Sequence, residues 1–306
     1  MVVSSKKQSV RYIKVAEAYS GQRIDNFLFR EYKNVPKSYI YRVIRSGEVR
    51  VNSGRVSPSH KLSIGDKIRI PPVAHTPPAP PSLSDADADA LLKCIIFEDD
   101  EMLVIDKPAH LAVHTGTAHS FGLIDLLKHK YSDDVGLVHR LDKDTSGCLI
   151  VAKSRTVLLR LQKLFRESQV KKIYQVLVVG RWQKPRRVSM PLRRIVQKQT
   201  VTDNGKHAIT NFTVLHLFKD YSLMSVSLIT GRTHQIRVHA AHCGHPVAGD
   251  NKYGDFSNNR KLAQLGLKRI FLHAHKVSFR WHEKILSFEA PLPDPLQKLI
   301  EQLDRA

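Results

Sequence analysis

Val138-His-Arg-Leu-Asp-Lys-Asp-Thr-Ser-Gly-Cys-Leu-Ile-Val151 sets a polar loop between two apolar runs, Gly136–His139 before it and Cys148–Ala152 after it. Short apolar runs bounded by turn residues read as strands. The loop presents two carboxylates, Asp142 and Asp144. A tight loop leaving a sheet can hold such a group with its lone pairs aimed into a cleft. A plain surface turn is the rival reading, because Asp, Thr, Ser and Gly all favour turns. Asp142, Asp144, Ser146 and Gly147 also match positions 1, 3, 5 and 6 of a calcium-binding loop, but the twelfth position falls on Lys153 where a glutamate is needed.

On both sides of this loop β signals dominate: Cys94–Phe97, Leu103–Asp106, Tyr174–Val179, Ala208–Phe218, Leu223–Leu228 and Val277–Trp281. Helical spacing interrupts them at 121–130, 155–168, 233–243 and 292–304. There is no regular strand–helix alternation and no glycine-rich nucleotide loop. The pattern predicts an α+β domain on a mixed, mainly antiparallel sheet.

Ahead of it, Ile24, Phe27, Leu28 and Tyr32 share one helical face after Gly21. A second helix is expected from Lys37 to Arg45, with Ser38 as its N-cap and Gly47 past its end. A small hairpin, Val49–Val51 and Lys67–Ile70, completes a compact basic module. The proline-rich run Pro71–Pro81 cannot sustain a helix or a central strand. The expected division is therefore 21–72 for the small module, 73–90 for a Pro-rich and acidic linker, and 91–304 for the larger domain.

Charge separates these segments and restricts the partners. The 306 residues carry 49 Lys and Arg against 28 acids, a net of +21. Residues 1–80 hold 15 basic and 5 acidic side chains, residues 81–110 hold 2 and 8, and the rest is basic again. Such a surface attracts polyanions, nucleic acid first. No apolar run approaches the ~20 residues of a membrane span. The N-terminal MVVSSKKQSVRY lacks the apolar core of a secretory signal, and Cys94, Cys148 and Cys243 suit free thiols. A cytoplasmic protein is expected. His239, His242 and His245 lack a coherent fourth ligand, so no metal is expected.

His139 to Gly147, HRLDKDTSG, resembles the signature of the RluA-type ribosomal large-subunit pseudouridine synthases. Asp106-Lys-Pro-Ala-His-Leu-Ala-Val-His114, Lys171-Lys-Ile-Tyr174 and Thr230-Gly-Arg-Thr-His-Gln-Ile-Arg-Val-His239 resemble three further blocks of that family. Residues 21–28, 35–52 and 65–72 resemble an S4 RNA-binding domain, and together the segments are most similar to the C-type (RluC-like) subgroup. The resemblance covers about residues 10–300. It implies the pseudouridine synthase fold and isomerisation of uridines in 23S rRNA, by a monomer without cofactor or metal. His110 departs from the family's usual Gly, at a turn where φ above zero is expected.

The resemblance makes Asp142 the catalytic carboxylate, Tyr174 the active-site aromatic, and an arginine of the GRTHQIR block the partner of Asp142. Arg237 is expected to be that arginine. Thr233 can cap a helix that Gly244 ends, which fixes Arg237 one turn inside and leaves Arg232 in the approach. Arg140 resembles the side chain that fills the stack when a base leaves; a phosphate contact is its plainer reading. His139, Arg232, Arg23, Lys37, Arg42, Arg45 and Arg50 complete the expected RNA-binding set. Ten Lys and Arg against one acid between 171 and 210 add a candidate phosphate track. Two rivals stand beside this reading: a synthase acting on tRNA or other rRNA positions, and a catalytically inactive RNA-binding or ribosome-assembly factor.

Overall fold

The computed structural model describes residues 10–32, 35–72, 85–113, 122–195 and 198–305. Its backbone clusters into two units, Met1–Pro80 and Pro81–Ala306. Residues 73–84 of the expected linker lie outside the described residues.

The first unit runs β1 (Arg11–Lys14), α1 (Ile24–Glu31), α2 (Lys37–Arg45), β2 (Arg50–Val51), β3 (Gly54–Arg55) and β4 (Lys67–Ile70). Ile24, Phe27 and Leu28 of α1 meet Ile40, Val43 and Ile44 of α2 at the i, i+3, i+4 spacing of core-facing helices. The expected hairpin is instead a four-stranded sheet in the order β1-β4-β2-β3. Arg-Tyr-Ile-Lys of β1 has no clean alternation to announce it, and it is held by antiparallel pairing with distant β4. Helix α2 spans the expected Lys37–Arg45, but the Ser38 cap is corrected: the N-cap is Pro36, two residues earlier, with no side-chain cap.

The second unit opens with α3 (Asp85–Leu92), β5 (Ile95–Glu98), β6 (Met102–Lys107), α4 (Leu123–Lys130), β7 (Gly136–Leu137) and β8 (Ser146–Ala152). It continues with α5 (Arg155–Arg166), β9 (Lys171–Val179), β10 (Arg186–Ser189), β11 (Leu192–Ile195), β12 (Lys198–Val201), β13 (Ile209–Leu217) and β14 (Tyr221–Leu228). The last elements are α6 (Gln235–His242), α7 (Phe256–Gln264), β15 (Leu272–Trp281), β16 (Lys284–Glu289) and α8 (Asp294–Asp304). A ten-stranded sheet runs β10-β13-β14-β9-β15-β8-β6-β5, with β16 on β15 and β7 on β8. Its only parallel pairing among the described strands joins β8 to β15, so the sheet is mixed and mainly antiparallel.

Alternation splits the sheet's side chains between two cores. Leu103 and Ile105 of β6 and Leu149 and Val151 of β8 face one core with Tyr174 and Val176 of β9. Met102, Val104, Ile150 and Ala152 face the other, under Val157 and Leu161 of α5. β8 is buried along its whole length. Double coverage explains why these strands read as continuous apolar runs.

Sequence periodicity missed β10, β11, β12, β16 and α7. The β11–β12 hairpin is mainly polar, and β16, Lys-Ile-Leu-Ser-Phe-Glu, sets Ile285 beside Leu286 and so lacks clean alternation. Helix α7 is announced chiefly by its cap, Asp255, which accepts from Ser257 N and Asn258 N.

Gly147 lets β8 lie against β15. Its φ is +108°, and a Cβ there would collide with the backbone of Ala274. Gly147→Ala should therefore cost about 3 kcal/mol or more of stability. Gly231→Ala, where a Cβ meets nothing within 4 Å, should stay within ~0.5 kcal/mol. Denaturant unfolding of both variants checks this, and equal midpoints would contradict it.

Candidate active site

Asp142 sits in the loop that joins β7 to β8, and Thr145 N donates back to its carbonyl at 3.1 Å to tighten the turn. The buried Nζ of Lys107, at the end of β6, donates to Pro108 O at 2.7 Å, Leu111 O at 3.0 Å and Lys143 O at 3.1 Å. One ammonium thus ties a neighbouring turn to the residue after Asp142. Burial, reinforced by Arg269 and opposed by the nearby carboxylates, pushes the Lys107 pKa down to about 7. In that turn His110 has a φ of 67°, as the missing glycine requires, and its Nδ1 lies 3.0 Å from Asp144 Oδ1.

A cleft of about 850 Å³ opens over this loop. Asp142, Tyr174, Arg237, His139, Arg140 and Arg232 all line it. Arg23, Lys37, Arg42, Arg45 and Arg50 belong to the first unit. There Arg23 grips Asp25 at 2.6 Å, Arg42 pairs with Glu48 at 3.2 Å, and Arg50 caps Gly47 O at 3.1 Å. Arg45 is exposed on α2, and Lys37 opens that helix.

Arg237 Nη1 approaches Asp142 Oδ2 at 3.4 Å, whereas Arg232 Nε donates to His207 O at 3.1 Å. Arg237 is the arginine beside Asp142, but the expected helix start is wrong. Helix α6 begins after His234, which adopts a left-handed backbone with φ 55° and ψ 21°. The Gln235 side chain holds the approach: its Oε1 accepts from Thr230 Oγ1 at 2.7 Å and Arg232 N at 3.0 Å. Its Nε2 donates to Ile209 O at 2.9 Å. Gly244 follows the helix with φ 81°, as a helix-ending glycine does.

The stronger partner of Arg237 is one the sequence did not suggest. Asp250, fully buried, accepts two parallel hydrogen bonds of 2.7 Å from Nε and Nη2. Lys252 N, at 2.8 Å, and Tyr253 N, at 3.1 Å, satisfy the same carboxylate. Burial penalises both charges, yet the mutual hydrogen bonds prevail: the Arg237 pKa lies above its ordinary value and that of Asp250 below.

The other cleft residues differ in character. Tyr174 is 9% exposed, and burial, with the charge of Asp142 second, raises its phenol pKa. It therefore remains protonated at neutral pH. His139 stacks on Phe165 at 4.6 Å and accepts from Ile150 N at 3.1 Å. Burial, then Lys172, takes its pKa to about 3, so it brings a neutral ring and no charge for phosphate. Lys172 itself is 9% exposed, which removes it from the expected phosphate track. Arg140, Arg186, Arg187 and Arg193 are exposed. His239, considered above as a metal ligand, has both nitrogens engaged, by Thr210 Oγ1 at 2.9 Å and Met190 O at 3.1 Å.

The RNA pseudouridylate synthase family matches residues 101–242, and the S4 domain matches residues 22–68. The chain is 42% identical over 311 residues to the Ribosomal large subunit pseudouridine synthase C of Vibrio cholerae, across 98% of this chain and 99% of that one. To the protein of the same name from Escherichia coli O157:H7 it is 42% identical over 312 residues, 97% of this chain and 98% of that one. Among solved structures, Human RNA Pseudouridylate Synthase Domain Containing 4 superposes with a TM-score of 0.62 at 27% identity, over 72% of this chain and 96% of that chain. No helix among the described residues is long and apolar enough to cross a membrane.

Removing one partner of a buried ion pair costs about 3–5 kcal/mol. Asp250→Ala should lose stability of that order at neutral pH. The folded-state pKa of Asp250 is depressed, so its contribution is complete above the unfolded value, about 3.9, and fades as pH falls through the folded one. The gap between wild type and variant in guanidinium unfolding should therefore shrink in strong acid. A gap that widens as pH falls would contradict the assignment.

Proposed function

The chain belongs to the RNA pseudouridylate synthase family, and from that premise we propose that it isomerises uridines of 23S ribosomal RNA to pseudouridine in the cytoplasm. Asp142 in its loop, with Arg237 at 3.4 Å and Tyr174 in the same cleft, is the observation that carries this reading. The large-subunit substrate follows the names of the full-length relatives.

The reaction breaks the N1–C1′ bond of a uridine, turns the uracil, and joins C5 to C1′. Nothing is oxidised or hydrolysed, so the chemistry requires neither a metal nor a nucleotide cofactor, and one chain holds all the groups named here. A carboxylate suits the anomeric carbon, where it can attack C1′, shield a developing cation or take a proton from C2′. Both contacts on Asp142 fall on Oδ2, from Arg237 and from His234, and Oδ1 makes no hydrogen bond among the described residues. The free oxygen is the one offered to the sugar.

Tyr174 gives the uracil a flat apolar wall and a protonated hydroxyl. To reach the cleft a target base must leave its stack, at a cost of a few kcal/mol. Arg140, exposed at the cleft, is the planar cation that fills the gap. The basic first unit, matching the S4 domain, anchors the large RNA through its phosphates. A binding protein without activity has no use for a carboxylate clamped beside an arginine in a cleft, which weighs against the inactive alternative.

Asp142→Asn should abolish pseudouridine formation on a 23S rRNA transcript while leaving its affinity nearly unchanged. Arg232→Ala should weaken affinity and spare the single-turnover rate. An Asp142→Asn enzyme within about tenfold of full rate, a barrier change of 1.4 kcal/mol or less, would overturn the assignment.

A further inference from the structure

Three residues after Asp250, Tyr253 has its hydroxyl fixed from two sides. The backbone N–H of Gln199, on β12, donates to it at 2.8 Å, and His234 Nδ1 lies 2.9 Å away. A phenol accepts through its lone pairs but has one proton to give. Gln199 occupies a lone pair, and the described residues offer the hydroxyl no acceptor other than His234. With Gln199 on a lone pair, the phenolic proton is free to point at Nδ1.

That contact sets the imidazole. With Nδ1 accepting, a neutral ring carries its proton on Nε2. Nε2 faces Asp142 Oδ2 at 3.7 Å, the oxygen that Arg237 Nη1 approaches at 3.4 Å. At that distance the imidazole acts on the carboxylate as an oriented N–H dipole and not as a formed hydrogen bond. The backbone points the same way. His234 holds a left-handed conformation that non-glycine residues seldom adopt, and its Nε2 meets Asp142.

We propose that His234 is a positioning residue for the reaction. As the neutral Nε2–H tautomer, set by the relay from Gln199 N–H through Tyr253 O–H to Nδ1, it steadies Asp142 Oδ2 beside Arg237 and leaves Oδ1 to the ribose. The proposal rests on the reading of Asp142 as the reacting carboxylate.

The groups facing His234 are Asp142 from its loop, Arg237 from α6, and Asp250, Lys252 and Tyr253 from the turn after α6. Burial lowers the imidazole pKa, Asp142 opposes this, Arg237 and Lys252 reinforce it, and Asp250 opposes; the balance lies below the ordinary value. A neutral ring at pH 7 agrees with that tautomer.

The test is nitrogen NMR on protein labelled with ¹⁵N-histidine, with the His234 signals identified by their loss in His234→Gln. The expected spectrum at pH 7 shows Nε2 protonated and Nδ1 bare, and Tyr253→Phe should release the ring to a tautomer mixture. A wild-type imidazolium, or a proton on Nδ1, would overturn the proposal. Single-turnover rates on a 23S rRNA transcript supply the second arm. His234→Phe should slow the chemical step about tenfold or more with little change in Kd, and His234→Gln, which retains an N–H near Nε2, should recover much of the loss. Equal rates for the Phe and Gln variants, or a loss confined to Kd, would also overturn it. An active Asp142→Asn enzyme would instead remove the reading of Asp142 and leave the tautomer result standing.

Discussion

The guanidinium of Arg237 commits Nε and Nη2 to buried Asp250 and leaves Nη1 for Asp142. A planar fork with two arms pinned has no freedom left in the third, so the cation beside Asp142 is aimed before any RNA arrives. Lysine, a single point of charge on a flexible stem, could neutralise either carboxylate but could not fix one by means of the other. The cost of this arrangement is desolvation of an ion pair. It is offset by the two backbone N–H groups on Asp250 as well as by the pair itself.

The fold makes this division possible by bringing the Asp142 loop, α6 and the turn after α6 together. The Asp142 loop leaves toward buried β8, whose close approach to β15 needs the bare Cα of Gly147. Arg237 stands on α6, which follows β14, while Asp250 and Tyr253 come from the turn after that helix. Each segment carries polar groups into a partly buried place, and each is satisfied: no buried side-chain nitrogen or oxygen among the described residues lacks a partner. A network satisfied in this way is rigid, and truncating one member leaves the others unpaired.

Much of the fold was legible because it rests on local pattern. Core strands β6 and β8 read as apolar runs, α1 and α2 read by spacing, and the division of charge set the basic front apart from the acidic stretch. Features fixed by distant partners were not legible. Strand β1 is defined by its pairing with β4, and the β11–β12 hairpin has few apolar residues to mark it. In the cleft, HRLDKDTSG and GRTHQIR drew attention to Asp142 and Arg237, because a motif keeps its chemistry in sequence order. Asp250 lies thirteen residues beyond Arg237 in an unremarkable turn, so nothing local named it. Thr233 misled for a related reason. A hydroxyl before an apolar-periodic run normally caps a helix, but here Gln235 folds back to hold the turn and His234 takes the left-handed position.

The central claim is that the buried Arg237–Asp250 pair exists to aim a charge at Asp142 and not to hold the fold together. Replacing both members by apolar side chains of similar size separates these roles, since a buried ion pair exchanged for well-packed hydrocarbon is often neutral or stabilising. The decisive measurement is therefore the folding stability and the single-turnover pseudouridine yield of the double variant Arg237→Met with Asp250→Leu. The account predicts that the double variant loses less stability than Asp250→Ala, which leaves the Arg237 guanidinium buried and unpaired, and forms no detectable pseudouridine. A double variant that folds and retains activity within about tenfold of wild type would contradict it.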